Sequence, residues 1–243
     1  MTARRMTAAA WVAVMAAGLL GVEARAGLVQ VLSRADLAGN DLIDWGTLGS
    51  NGDLVSNPVE ATSAGGLRAT VSKRAANGDF QVLVQGATNG WAGNFSPGET
   101  VLWTNNYPDA APNAITMDFA SGVAGVGMNF QQANALATFT AEMAAFDAAG
   151  GLLGVFSATG ASNANNDGSA VFLGLKSTEA NIHRVVFYLT AAPFNYIGSY
   201  GVNQVSLLRP AAAVPEPSAI VSAALGALLI AGGRLVARGR RAG

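Results

Sequence analysis

The stretch that most directly indicates a fold is LRATVSKRAANGDFQVLVQ, residues 67–85. Residues 67–72 alternate between apolar and polar side chains, and residues 80–85 are rich in β-forming ones. Both patterns are typical of strands. Between them, Asn77-Gly78-Asp79 contains the Asn-Gly pair whose members tolerate the positive φ that a tight turn requires. The stretch therefore predicts two antiparallel strands joined as a hairpin.

The same pattern continues over residues 27–209, where no stretch has a convincing helical period. A second hairpin is predicted around the turn Asp147-Ala148-Ala149-Gly150-Gly151. Residues 141–146 have helical propensity, but they lead directly into that turn, which favours a strand. Further strands are predicted at 114–119, 122–130, 136–146, 152–158, 170–175, 182–189 and 202–208.

This series of short strands predicts an all-β fold, an antiparallel β-sandwich of jelly-roll type. About 180 residues suit a jelly roll and are enough to bury a substantial core. The residues predicted to face inward are Val82, Val84, Ile115, Met117, Phe119, Val126, Met128, Phe139, Phe146, Val155, Phe172, Ile182, Val185, Phe187 and Val205.

Composition excludes several kinds of chemistry. The chain has no Cys, which excludes disulfides, thiolate metal sites and cysteine nucleophiles, and its single His183 excludes a multi-histidine metal site. A formal net charge of −1 gives no general attraction to nucleic acid, so no nucleic-acid partner is predicted.

Residues 1–26 have the pattern of a signal peptide. A basic start is followed by an apolar run at 8–22 and by Ala24-Arg25-Ala26, which predicts cleavage before Gly27. The run is short for a membrane span. The two adjacent arginines are not continued as a twin-arginine signal, which favours the general secretory route and signal peptidase as a partner.

The other end of the chain predicts a membrane anchor. A Pro-rich linker at 210–218 contains Pro215-Glu216-Pro217, and 219–243 forms an apolar stretch followed by arginines. We expect a single transmembrane helix there, with its basic end and the basic N-terminus in the cytoplasm and the passenger outside. A helix packed on the domain would not explain the arginines, which are Arg234, Arg238, Arg240 and Arg241.

This order of Pro-Glu-Pro triplet, apolar helix and arginine-rich end resembles the PEP-CTERM sorting signal of exported proteins in Gram-negative bacteria. The resemblance covers about an eighth of the chain. It implies processing near the triplet by an exosortase, a membrane enzyme, and a setting in bacteria that make exopolysaccharide and biofilm. It identifies a sorting signal and leaves the activity of the passenger open.

The passenger has a second, looser resemblance, to ectodomains often attached to such signals and similar to carbohydrate-binding jelly rolls. In those domains the last strand often carries acidic residues, where this chain has Val202-Asn203-Gln204. The residues that carry the resemblance lie at 115–119, 125–127, 139–143, 145–150, 172–174, 181–182 and 200–205.

Aromatic residues in a Gly- and Asn-rich region give the best candidate for glycan contact. Trp91, Trp103 and Tyr107 can stack on sugar faces, and neighbouring amides can hydrogen-bond to hydroxyls. The alternative is that these rings cap the core, as large rings often do. The neighbouring residues are Asn89, Asn94, Phe95, Asn105 and Asn106.

Calcium is the one metal that the sequence suggests. Asn163, Asn165 and Asp167 match the start of a calcium loop, N-x-N-x-D-G, but Gly174 stands where the bidentate carboxylate would be. The alternative is a polar turn. A second acidic group could also line a calcium site or form solvated loops, and it consists of Asp36, Asp41, Asp44 and Asp53.

No catalytic residue is predicted. His183 has no nucleophile motif nearby. Glu142 and Asp147 could serve glycoside hydrolysis only at a defined separation, which the sequence does not fix.

These observations predict an exported surface or extracellular matrix protein that is not an enzyme and that binds exopolysaccharide. A secreted polysaccharide hydrolase and a purely structural biofilm protein are the alternatives. Residues 27–214 contain 7 Lys and Arg and 13 Asp and Glu, a formal charge of −6. That charge disfavours anionic polymers, so contacts to glycan should be aromatic and amide in character or bridged by calcium.

Overall fold

The computed structural model describes residues 27–74, 78–105, 113–134, 136–191 and 197–210. The fold is all-β, with two antiparallel sheets facing each other across one hydrophobic core, which confirms the predicted class. Two single-turn helices, α1 at Arg34–Leu37 and a 3-10 helix at Trp45–Thr47, lie near the start. Within these ranges no helix has the length and hydrophobicity needed to cross a bilayer.

Among the described residues, nine strands form sheet A and six form sheet B. Sheet A contains β1 (Leu28–Val31), β2 (Asp41–Ile43), β3 (Leu54–Val55), β6 (Phe80–Val84), β7 (Thr100–Trp103), β9 (Gly125–Gln132), β12 (Val171–Ser177), β14 (Tyr200–Val202) and β15 (Val205–Leu208). Sheet B contains β4 (Val59–Thr62), β5 (Arg68–Lys73), β8 (Ile115–Val123), β10 (Thr138–Phe146), β11 (Leu152–Ala161) and β13 (Ile182–Ala191).

In sheet A the main strand order is β1-β12-β9-β14-β7-β6-β3, and β15 pairs with both β9 and β2. The long strand β9 therefore faces two short strands, β14 and β15, in succession. Asn203 interrupts them, and its side-chain Oδ1 accepts a hydrogen bond from the backbone N–H of Asn129 at 2.9 Å. The side chain thus satisfies a backbone donor of β9 at the break in the ladder.

In sheet B the order is β11-β10-β13-β8-β5-β4. The predicted hairpin around Asp147 is confirmed, since β10 and β11 pair from Thr138↔Ala161 to Phe146↔Leu152. The turn closes through the Asp147 side chain, whose Oδ1 accepts from the N–H groups of Ala149 and Gly151 at 2.9 and 2.7 Å. The strand prediction for 141–146 is also confirmed.

The hairpin predicted for residues 67–85 is wrong. β5 pairs with β4 and β8 in sheet B, whereas β6 pairs with β3 and β7 in sheet A. The chain therefore crosses between the sheets at this point. A turn signal predicts a reversal of direction, and alternation predicts one buried face. A connection that crosses from one sheet to the other can also reverse the chain, and two strands that face each other across a core each bury one face. The sequence pattern therefore fits this arrangement as well as it fits a hairpin.

Inner faces of both sheets meet in the core. Phe130 of β9 contacts Phe187 of β13 with ring centroids 5.8 Å apart. The Tyr200 hydroxyl lies 2.9 Å from the Phe187 carbonyl oxygen and 2.8 Å from that of Asn113. Most predicted inward residues are buried in this core.

Four of the residues predicted to face inward are not part of this core. Val155 is 45% exposed because it lies on the outer face of β11, and Val84 and Phe146 are half-buried. Phe172 is buried, but on the outer face of sheet A, where the Arg34 guanidinium stacks on its ring at 5.5 Å. Alternation over a short run does not reveal which of its two faces is covered.

The predicted signal peptide at 1–26 and the predicted transmembrane sorting helix at 219–243 lie outside the described residues. So do Pro215, Glu216 and Pro217, together with nearly all of the linker at 210–218, and these parts remain predictions. The arginines Arg234, Arg238, Arg240 and Arg241 also lie outside the described residues.

Candidate functional site: an uncharged tryptophan cleft on sheet A

The outer face of sheet A carries a second hydrophobic cluster, separate from the core between the sheets. Leu83 of β6 and Val101 of β7 point outward, because their neighbours Val82 and Leu102 point into the core. The loop between these two strands, residues 85–99, folds over them. Its rings complete the cluster, whose members are Leu83, Trp91, Phe95, Val101 and Ala170, with Trp103 and Ala133 packed against it.

Local backbone bonds fix this loop. The N–H of Trp91 donates to the Val84 carbonyl at 3.0 Å, and the N–H of Gly86 donates to the Trp91 carbonyl at 2.9 Å. Gly86 has φ +77°, and a Cβ at Gly90 would overlap the Val84 carbonyl oxygen. Glycine is therefore required at both positions, and together they place the indole of Trp91 over the sheet.

Gln131 of β9 anchors the loop through its side-chain amide. Its Oε1 accepts from the Trp91 Nε1–H at 2.7 Å and from the Asn94 N–H at 3.0 Å, and its Nε2 donates to the Asn163 carbonyl at 3.1 Å. Gln131 is 1% exposed. One buried amide thus joins the sheet, the aromatic loop and the loop at 163–169, and it accepts from the buried N–H groups of Trp91 and Asn94.

Beside this anchor lies a cleft of about 340 Å³. The rings of Trp91 and Trp103 form two of its walls, with centroids 6.4 Å apart and planes at 65°. Trp103 is half-buried, and its Nε1–H donates to Ser199 Oγ at 3.2 Å. Both indole N–H groups are therefore engaged with the protein. The lining residues are Gln81, Leu83, Asn89, Gly90, Trp91, Ala92, Trp103 and Ala133.

The structure separates the residues predicted for glycan contact. Trp91 is 6% exposed, Trp103 is half-buried, and both line the cleft together with Asn89. Phe95 and Asn94 are each 1% exposed, and Phe95 belongs to the packing of the second cluster. Tyr107 lies outside the described residues.

The predicted calcium loop folds as a set of side-chain-capped turns. Asn163 Oδ1 accepts from the Asn165 N–H at 2.8 Å, and Asp167 Oδ1 accepts from the backbone and hydroxyl of Ser169 at 3.0 and 2.6 Å. These bonds to Ser169 lower the pKa of Asp167. Asn166, at φ +54°, accepts from Gln85 Nε2. The loop braces the aromatic loop, and calcium binding there stays a prediction.

The early aspartates take up separate local roles. Asp36 accepts from the Ser33 hydroxyl beside α1, Asp44 caps the 3-10 helix, and Asp53 accepts from the Ser50 N–H. Asp41 is paired with Arg209 at 3.1 Å. Within the described ranges no three His, Asp or Glu side chains come together as a metal site would require.

Asp41 has a perturbed pKa. Burial raises it, but hydrogen bonds from Ser63, Gly65 and Leu42 together with Arg209 outweigh burial and hold the pKa below its usual value. The Asp41–Arg209 pair connects the start of β2 to the residue that follows β15. Arg209 also donates to the Gly65 carbonyl at 2.7 Å.

The two carboxylates considered for hydrolysis are far apart in role and position. Glu142 accepts a hydrogen bond from the Tyr188 hydroxyl on the outer face of sheet B, which raises the pKa of Tyr188. Asp147 caps the turn beyond the end of β10. Five residues of strand span about 17 Å, beyond the ~5–10 Å between paired carboxylates in glycosidases. His183 lies on β13 beside the backbone of Gly122, which could not carry a Cβ there.

Sequence reasoning missed a polar cluster around Arg34 on the same face of sheet A. The Arg34 guanidinium donates to Asn129 Oδ1 at 3.1 Å, to Asn203 Oδ1 at 3.2 Å and to Ser206. Burial lowers the pKa of Arg34, and the charge of Glu99 opposes that shift. The uncharged triplet Val202-Asn203-Gln204 is the part of the sequence that could have indicated this cluster, because Asn203 Oδ1 is one of the acceptors of the Arg34 guanidinium.

Comparison of the sequence with known protein families and with curated proteins gives no match. Among solved structures, the chain is similar to a DUF4465 family protein from Bacteroides caccae, with a TM-score of 0.37 and 11% identity. The similarity covers 76% of this chain and 100% of that chain. At this TM-score the likeness carries no argument about fold family or function.

Proposed function

We propose that this chain is an exported cell-surface or matrix protein whose β domain binds exopolysaccharide through the tryptophan cleft. The observation that carries the binding proposal is the pair of anchored indoles beside Gln81 and Asn89. Aromatic carbon is suited to the C–H faces of a sugar, and amides are suited to its hydroxyls.

Export and sorting are proposed from the two ends of the sequence. A signal peptide at 1–26 and a PEP-CTERM-like segment at 215–241 would bring the passenger to the outer side of the inner membrane. A membrane helix at 219–243 would hold it there until an exosortase cuts near Pro215-Glu216-Pro217. We also propose that the two sheets follow the jelly-roll topology of carbohydrate-binding domains.

The binding proposal is tested with the full-length chain, solubilised in detergent, on a glycan array that includes the exopolysaccharide of the producing cell. Trp103→Ala should abolish binding in a protein that stays folded, with a thermal unfolding midpoint lowered by a few degrees because the half-buried ring also packs against the cluster. Tyr188→Ala is the matched control, because Tyr188 is a half-buried aromatic residue on the outer face of sheet B. Binding that survives Trp103→Ala would move the site elsewhere. A folded protein that binds no glycan would instead support a structural matrix role.

The sorting proposal is tested by fractionating cells that produce the protein. Replacing Pro215, Glu216 and Pro217 together by alanine should leave an uncleaved chain in the inner membrane, whereas Pro210→Ala should be processed normally. Recovery of the intact wild-type chain from the cytosol would contradict both export and sorting.

A further inference from the structure

The tryptophan cleft is uncharged on every described side. Five of its lining residues are apolar or aromatic, namely Leu83, Trp91, Ala92, Trp103 and Ala133, and the polar side chains are the amides of Gln81 and Asn89. By contrast, a pocket on sheet B is lined by Glu60, Arg68 and Asp118, together with Thr70, Phe119 and Ala120. The absence of charge is therefore a property of this cleft and not of every concave surface on the domain.

No cation of the described residues lines the cleft, and four of them are engaged elsewhere. Arg34 is bound by Asn129 and Asn203, Arg209 by Asp41, and Arg184 by Asp118. Lys73 lies at the end of the core, where its amine donates to the carbonyls of Asp79 and Thr104. None of these groups lines the space between the two indoles.

The hydrogen-bonding capacity of the lining matches hydroxyls better than carboxylates. An amide offers both donors and an acceptor, as a hydroxyl does, whereas a carboxylate only accepts. Gln81 already donates from Nε2 to the Gly52 carbonyl at 2.8 Å. Both indole N–H groups donate to Gln131 and Ser199. Few donors therefore remain for an anion.

An anionic sugar would lose hydration against the rings without gaining a counter-charge, which is unfavourable. The formal charge of −6 over residues 27–214 adds long-range repulsion. A volume of about 340 Å³ is near the lower end of the range of small-molecule sites, ~300–1,000 Å³, which suits a short stretch of chain.

We infer, building on the proposed glycan binding, that the cleft takes a neutral hexose segment and discriminates against uronate sugars. Trp103 provides the stacking face, and the amides of Gln81 and Asn89 contact the hydroxyls at its edge. The selectivity comes from the missing cation and the scarcity of donors.

The test uses the full-length chain in detergent and three matched pairs of β-1,4- or α-1,4-linked hexasaccharides. These are cellohexaose with its glucuronate counterpart, mannohexaose with hexamannuronate, and methyl-esterified hexagalacturonate with hexagalacturonate. Tryptophan fluorescence and titration calorimetry should show a neutral member bound at least about tenfold more tightly than its anionic partner. The preference should narrow as salt is raised, because screening weakens the repulsion.

A gain-of-function variant tests the physical cause. Gln81→Lys places a cation in the lining and should shift the preference toward the uronate member of the pair, whereas Gln81→Met removes the same hydrogen bond to Gly52 and should not. Equal or tighter binding of the uronates by the wild type would overturn this inference and leave glycan binding standing. Binding of none of the six sugars, nor of any glycan on the array, would overturn both.

Discussion

The strands of both sheets alternate between inward and outward side chains, but the outer faces of the two sheets differ in what covers them. On sheet A, the loop at 85–99 and the turn at 163–169 fold over the strands and bury Phe95 and most of Trp91. On sheet B, outward residues such as Arg184 and Asp118 meet solvent and form an exposed polar pair. A sheet face becomes a candidate site here because loops add a second buried layer and anchor rings within it.

The largest expected effect tests whether that second layer contributes to stability. Phe95→Ala should lower the free energy of unfolding by about 3–5 kcal/mol, as a fully buried ring does when truncated. The matched control is Phe146→Ala, since Phe146 is half-buried on sheet B, and its cost should be clearly smaller. Urea unfolding followed by circular dichroism measures both. An equal loss of unfolding free energy in the two variants would mean that the aromatic layer on sheet A contributes no more to stability than the outer face of sheet B.

The anchor of the layer should have the next largest effect. Gln131→Leu removes the acceptor of the Trp91 Nε1–H and the Asn94 N–H, and each buried donor left unpaired costs about 1–3 kcal/mol. Glycan binding should weaken as well, because Trp91 loses its fixed orientation. Gln30→Leu, which removes an exposed amide that donates to the Ser157 carbonyl at 2.7 Å, serves as the control. A stable Gln131→Leu protein would rule out the amide as an anchor.

Between the two faces, Lys73 offers a test that depends on pH. Burial lowers the pKa of Lys73 from 10.5 to about 8, against the opposing charge of Asp79. Between these pH values the unfolded chain binds more protons than the folded one, so the free energy of unfolding contributed by this group rises with pH. The free energy of unfolding is measured as a function of pH for the wild type and for Lys73→Met, and the difference between the two should rise over this range. Lys176→Met, which removes an amine on β12 that donates to the Asp36 carbonyl at 3.3 Å, controls for the loss of one positive charge.

The smallest effect is expected on sheet B. Arg184 and Asp118 form an ion pair whose side chains are 48% and 39% exposed. Arg184→Ala should therefore change the free energy of unfolding by less than about 1 kcal/mol, since water and salt screen such pairs. A loss as large as that of Gln131→Leu would show that the charged face is as tightly built as the layered one.

Local features of the sequence predicted much of the fold. The hairpin around Asp147 is correct because its turn residues and both strands act within a few residues of each other. Strand existence at 80–85 is also correct. The predicted pairing of that strand with residues 67–72 is wrong. An alternating pattern fits a partner in the same sheet and a partner across the core equally well.

The sequence drew attention to Trp91 and Trp103, which line the cleft, but not to Gln131, which holds Trp91 in place. Trp91 and Trp103 stand out in any Asn- and Gly-rich segment. Gln131 does not, because nothing near it in sequence indicates that its amide will lie under a loop about forty residues earlier in the chain. Arg34 and Asn203 are likewise separated by most of the domain and meet only because β15 pairs with β9.

The sequence alone determined the strand-rich character of residues 27–209, the absence of thiol chemistry and the sorting signals predicted at the two ends, because each depends on composition or on neighbours along the chain. Only the tertiary structure decided which strands share a sheet, which face is covered twice, and that no described residue lining the cleft between Trp91 and Trp103 is charged. Those outcomes depend on contacts between residues far apart in the chain, where burial and hydrogen-bond satisfaction select one pairing among several that the local pattern permits.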